Sequence, residues 1–154
     1  MDILRELGVI EVVLSGGNPL LRDDIGEIIE YASRFFITTV YDNGSMAVEK
    51  IDDLHDADLV AISIDSLNPE KNDYVKGVKG AWHNSMKAIE KLREEGISVS
   101  VSPTISQSNL HEILDFTNHF INKGIPIWYC LCSYDFSNDH PQLFKIGKKT
   151  TNSQ

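Results

Sequence analysis

The feature that most constrains the fold is an alternation. Short β-branched apolar runs and helix-patterned stretches follow one another along the chain, with glycine where a helix gives way to a strand. Strand-like runs lie near 9–14, 36–41, 59–64, 97–104 and 126–132, and helical periodicity fills 2–7, 24–34, 46–55, 81–95 and 109–123. Leu7-Gly8-Val9, Glu95-Gly96-Ile97 and Lys123-Gly124-Ile125 each put glycine at the end of a helical pattern, where a left-handed residue turns the chain into the next strand. Such alternation means right-handed βαβ units and a parallel sheet. At 154 residues and 42% hydrophobic, the chain has the size of one domain with its own core. We place that core at 1–138 and expect the polar stretch 139–154 to be a disordered tail.

Two α/β architectures satisfy the alternation: a doubly wound open sheet, as in nucleotide-binding or signalling domains, and a partial, TIM-like β/α barrel of about five units. The strand faces bear on the choice. In the run from Leu59 to Asp65, Val60, Ile62 and Ile64 share one face while Ala61, Ser63 and Asp65 share the other. From Ile97 to Thr104, Val99 and Val101 oppose Ser98, Ser100, Ser102 and Thr104. A strand covered by helices on both faces is apolar on both, and these are not. One reading lines the hollow of a partial barrel with hydroxyls and a carboxylate; the other leaves them on a solvated face near an edge.

A formal net charge of −9 excludes the clustered Lys and Arg that a phosphate backbone demands, so no nucleic-acid partner is expected. No apolar stretch reaches the ~20 residues of a membrane span, and Met1 to Glu6 lack the apolar run of a secretory signal. No membrane association and a cytoplasmic location are therefore expected. Cys130 and Cys132 give no disulfide framework and read as small apolar residues. His111, Asp115 and His119 recur every four residues, a spacing open to a metal, but the pattern reads better as a solvated polar stripe. Trp82, Met86, Ile89 and Leu92 follow helical spacing and read as core. Lys76 to Gly80 reads as a turn preceding a helix.

The segment most open to a ligand is Leu14-Ser15-Gly16-Gly17-Asn18-Pro19, a strand end and tight turn before a helix starting near Asp24, with Glu27 placed for a capping box. It lacks the Lys-Ser/Thr of a P-loop and the three-glycine spacing of a dinucleotide site. "LSGGNPLLRDDIGEII" resembles the Gly-Gly-Glu-Pro segment of the radical S-adenosylmethionine superfamily. In that family's order, "TTVYDNGS" resembles the third strand and its Thr-Asn-Gly turn. "VAISIDSLNPEKNDYVKGVKGAWHNSMKAIEKLREEGI" resembles the fourth strand, an Arg-Gly-like loop and the fourth helix, and "SVSVSPTISQSNLHEI" the fifth strand with its following Asn.

The resemblance implies S-adenosylmethionine lying across the carboxyl ends of parallel strands. It puts Gly16, Gly17, Asn18 and Pro19 at the methionine amino group, Ser63 and Asp65 at fourth-strand contacts including the ribose, and Ser102 and Thr104 on the fifth-strand wall. Cys130 and Leu131 would lie beside the adenine. The complete enzyme, by the same resemblance, generates a 5′-deoxyadenosyl radical through a 4Fe–4S cluster; the substrate is not implied.

There are two departures. Asn18 stands where the family has Glu, and the family's C-x3-C-x2-C cluster loop has no counterpart in this sequence. The chain therefore reads as the cofactor-binding part of a radical S-adenosylmethionine enzyme, inactive alone and unable to bind the cluster. The alternative is a degenerate, non-catalytic relative serving in binding or assembly. The first strand here would then have an unpaired edge, and a homodimer through that edge is expected.

Overall fold

In the computed structural model, which describes residues 1–131, the alternation becomes a run of parallel strands laid down in chain order. β1 (Glu11–Leu14), β2 (Ile37–Asp42), β3 (Leu59–Ile62) and β4 (Val99–Val101) make one sheet of order β1-β2-β3-β4, every neighbouring pair parallel. β5 (Thr104–Ile105) pairs in parallel with β6 (Cys130–Leu131) and carries the array onward. The join is made by the backbone: the Trp128 N–H donates to the Val101 carbonyl at 2.9 Å and the Cys130 N–H to that of Pro103 at 3.0 Å. The single run expected at 97–104 is broken at Pro103, which has no N–H to give a ladder.

Strand order decides the architecture. A doubly wound sheet reverses its order at a switch point; the described strands do not, so the array winds one way, as a partial β/α barrel does. α2 (Ile25–Ser33), α4 (Ala81–Glu94) and α5 (Ile113–Ile121) cover the outer face. Their Ile25, Ile29, Ala88, Ile89, Leu92, Phe116 and Phe120 join Val40, Val60, Ile62, Ile64, Val99 and Val101 in one core, with Trp82 and Met86 packed against it. The opposite face is concave. Glu11, Val13, Thr39, Tyr41, Leu59 and Trp128 line a hollow of about 180 Å³ there. Ser100 and Ser102 are buried, so the hydroxyl-bearing strand face is enclosed and the solvated-edge reading fails.

The ends of elements differ from expectation in instructive ways. Residues 46–55 make turns and a 3-10 segment, Ile51–Leu54, in place of an α-helix. Their apolar spacing comes from a packed connection, in which Ala47 and Leu54 fill the core while Asp53 lies against Gly26 of α2. α1 (Asp2–Glu6) is as expected, and Gly8, Gly96 and Gly124 all have left-handed φ, at 75°, 75° and 70°. The capping box does not form, because the Asp24 carboxylate is held by the Arg22 guanidinium at 2.7 and 2.9 Å.

α3 (Pro69–Lys76) was not expected as a helix. Its polar sequence hides it from hydrophobic periodicity, yet both ends are marked. Asn68 caps the Lys71 N–H at 3.0 Å, Pro69 opens the first turn, and Gly77 closes the last with φ 68°.

β1 has a strand neighbour on one side only among the described residues, and Val13 within it and Ile10 just before it are exposed. Among the described residues no helix is long and apolar enough to cross a membrane. The tail expected at 139–154 and Cys132 lie outside the described residues.

Candidate functional site

Parallel strands end together, so the residues just past β1, β2, β3 and β4 form a row along one rim of the sheet. The row begins at the turn after β1. Gly16 has φ 147°, a conformation that side chains resist, so glycine is required there by the backbone. Gly17 is different: its φ is ordinary and a Cβ would meet nothing within 4 Å. Neither backbone nor packing demands glycine at Gly17, and its effect is to leave a bare, exposed peptide next to Gly16.

Asn18 faces inward. Its Oδ1 accepts the Leu20 N–H at 2.9 Å, capping the short 3-10 turn Pro19–Leu21, and its Nδ2 donates to Ser45 Oγ at 3.0 Å and Asn43 Oδ1 at 3.4 Å. The amide is therefore a strut tying the turn after β1 to the turn after β2. Leu20, fully buried, anchors the same turn from below.

The second turn is built around Asp42. Its Oδ1 accepts the Gly44 N–H at 2.6 Å, and its carbonyl accepts the Ser63 N–H at 2.8 Å. Burial pushes the Asp42 carboxyl above its ordinary value, against the opposing pull of the Gly44 N–H and the Asn18 amide. Gly44, with φ 83°, lies against α4, where the Ser85 hydroxyl donates to the Asn43 carbonyl at 3.0 Å and to the Ser63 carbonyl at 3.3 Å. One helix residue thus holds the ends of two strands in register.

Beyond β3 the row becomes charged. Asp65 is 4% exposed; its Oδ1 accepts the Thr104 N–H at 2.7 Å and its Oδ2 meets Lys76 Nζ at 2.9 Å. Lys76 also donates to Ser63 Oγ. Two asparagines fix Asp65 from behind: Asn72 Oδ1 accepts its N–H at 2.9 Å, and Asn109 Nδ2 donates to its carbonyl and to that of Thr104, both at 2.9 Å. Ser102 lies deeper, its Oγ 3.6 Å from Cys130 Sγ. A cavity of about 260 Å³ lined by Asn43, Ser45, Lys76, Val78, Ala81 and Asn84 joins the uncharged half of the row to the charged half.

Ser63, Asp65 and Thr104 are thus brought together, and Asn18 reaches them through Asn43, Ser45 and the cavity. Three residues that matter to the row escaped the sequence reading. Lys76 was assigned to a turn, although a lysine in the last turn before Gly77 carries the signal of a helix C-terminus. Asp42 and Ser85 gave no signal, because what they bond depends on turn and helix placement.

Asp65, implied as a ribose contact, holds the Thr104 N–H and Lys76 with its two oxygens. Other expectations are corrected. Cys130, expected to be buried, is exposed. His119 is not part of a solvated stripe: its Nε2 is buried without a partner among the described residues, and burial lowers its basicity. His111 turns to Lys71, 3.1 Å away, and no group of three metal-binding side chains converges among the described residues.

Comparison with known proteins agrees with this geometry. The chain is 35% identical over 136 residues to GTP 3′,8-cyclase of Aquifex aeolicus, covering 82% of this chain and 42% of that protein. It is 29% identical over 133 residues to an AdoMet-dependent heme synthase of Oleidesulfovibrio alaskensis, covering 84% of this chain and 34% of the other. It therefore spans well under half the length of these relatives. In fold it resembles Streptococcus suis SuiB bound to S-adenosylmethionine, with a TM-score of 0.77 at 18% identity, over 96% of this chain and 34% of that one. The family model of the radical SAM superfamily matches residues 1–120, and with it the parallel array and its row of strand ends: the chain belongs to the radical SAM superfamily.

Proposed function

We propose that this chain is the S-adenosylmethionine-binding array of a radical SAM enzyme. The observation that carries the reading is the polarity of the row: bare peptide at Gly16 and Gly17 at one end, and Lys76 with Ser63 Oγ at the other. The methionine part of the cofactor is a zwitterion, and it needs acceptors for its ammonium and a cation for its carboxylate. Backbone carbonyls suit the first, and glycine lets a ligand approach them closely. Lys76 suits the second. Ser63 and Thr104 line the path between, Ser102 lies behind them, and Pro19 fixes the exit of the turn. Asp65 acts by holding Lys76 and the Thr104 backbone.

When bound, S-adenosylmethionine supplies the sulfonium from which radical chemistry starts; the residues of this chain bind it, orient it and exclude competing groups. The residues do not fit a 4Fe–4S cluster. Its cysteines are Cys130 and Cys132, two residues apart, and Cys130 lies on β6 beside Ser102. We propose that this chain alone is inactive. Anaerobic reconstitution with iron and sulfide is expected to leave it without a stoichiometric 4Fe–4S absorption band. A full complement of cluster on these 154 residues would overturn that part of the proposal.

Binding is tested by calorimetry. S-adenosylmethionine is expected to bind with a dissociation constant below about 1 mM, equivalent to roughly −4 kcal/mol. No heat of binding at that concentration would reject the cofactor role and favour a non-catalytic binding or assembly protein, a reading supported by Asn18 being spent as a strut.

A further inference from the structure

Asp42 stands out among the carboxylates of the fold. It is 3% exposed, and no Lys, Arg or His forms an ion pair with it among the described residues. Oδ1 takes the Gly44 N–H, while Oδ2 is buried with no hydrogen-bond partner among the described residues. A buried charge is ordinarily paired, and an unpaired one is costly. Asp65 shows the paired case in the same fold, with Lys76 at 2.9 Å.

Asp42 is also well placed. The parallel register that sets Leu14 opposite Val40 brings the first residues past β1 alongside the end of β2. Asn18 ties the same two turns together through Ser45 and Asn43. The Gly16-Gly17-Asn18 turn itself carries no charge. By that register, Asp42 lies one strand away from it.

We propose that Asp42 is the acid of this turn: a positioning residue whose buried carboxyl, left without a cation by the fold, takes an ammonium group over Gly16 and Gly17 as its counter-charge. With Lys76 at the far end, the row is then charged in the sense that orients an α-amino acid, ammonium towards β1 and carboxylate towards α3. This rests on the cofactor-binding reading above and adds to it the residue that sets the cofactor's direction. It also accounts for the pairing of Asn18 with Asp42 in this sequence. A carboxylate at both positions would set two negative charges against each other, and a carboxylate at neither would leave the ammonium without a counter-charge.

The test moves the charge. S-adenosylmethionine binding to the full chain is measured by calorimetry for the native protein, Asp42→Asn, Asp42→Thr, and the double variant Asn18→Glu with Asp42→Thr, with thermal melting of each. Asp42→Asn keeps an acceptor for Gly44 and the same shape, and is expected to melt no lower than the native chain while binding at least tenfold more weakly. Asp42→Thr is expected to weaken binding similarly, and the double variant, with its carboxylate returned to the turn, to recover to within about threefold of native. Such recovery is a coupling that a purely structural role would not produce. Native-like binding by Asp42→Asn, or a double variant no better than Asp42→Thr, overturns the proposal while leaving the cofactor reading intact. A native chain that binds no S-adenosylmethionine overturns the cofactor reading itself, and the two failures are distinguishable.

Discussion

Gly44→Ala is expected to cost about 3–5 kcal/mol, a large share of the roughly 5–15 kcal/mol that holds a domain folded. Two separate penalties combine. At φ 83° any side chain is in left-handed backbone, worth about 1–2 kcal/mol. In addition, a Cβ would sit 2.5 Å from Ser85 Cα and 2.8 Å from Ser85 N, both backbone atoms of α4 that cannot rotate away. Relief requires α4 to lift from the ends of β2 and β3, which breaks the Ser85 bonds to Asn43 and Ser63. Gly8→Ala is the control. Gly8 has φ 75° and open space around its Cβ position, so it pays the backbone term alone, about 1 kcal/mol. Denaturant titrations of both variants check the difference, and equal losses would mean that the contact with Ser85 does not constrain the fold.

Lys76→Met is expected to abolish S-adenosylmethionine binding, by at least a hundredfold, and to destabilise the chain by about 2 kcal/mol. Breaking a buried ion pair from one side leaves the other charge unpaired, typically at about 3–5 kcal/mol. The Lys76 side chain is 20% exposed, so water shares in the pair and the smaller figure applies. Methionine keeps the length and apolar stem of lysine, so what is lost is the charge. Asp65 would keep the Thr104 N–H but lose its only cation among the described residues, and Ser63 Oγ would lose Lys76 as its donor. Lys76→Arg separates the two effects: it restores charge, and with it stability, but the planar fork cannot reproduce a point contact on both Ser63 and Asp65. Calorimetry and melting of the pair check this, and native-like affinity in Lys76→Met would remove Lys76 from the site.

How far the sequence could be read follows from which signals are local. The two faces of β3 were legible because alternation has a period of two whatever surrounds it: Val60, Ile62 and Ile64 fell in the core, with Ala61, Ser63 and Asp65 on the other side. The glycines that turn helices into strands were legible for the same reason. Residues 46–55 were misread because apolar spacing reports burial, and a packed loop can bury Ala47 and Leu54 without being a helix. α3 was missed for the converse reason, since a helix with little apolar surface announces itself only at its caps. Within the site, the residues were legible by resemblance and their roles were not. Asn18 spans two turns, and Asp65 is paired with Lys76. Both outcomes depend on side chains arriving from elements that are distant in sequence, 25 and 27 residues away for Asn43 and Ser45 and 13 residues away for the Lys76–Ser63 contact.

The sequential order of β1, β2, β3 and β4 has a bearing on how the molecule assembles. Each new strand of this sheet lands beside the one completed just before it, so every ladder closes over the connection just made and none waits for a partner made much later. Loop-closure entropy is then incurred in small, similar steps, in contrast to topologies in which late strands must insert between early ones. Growth by accretion at one margin suits a nascent polypeptide emerging from a ribosome, where early units can settle before later ones exist.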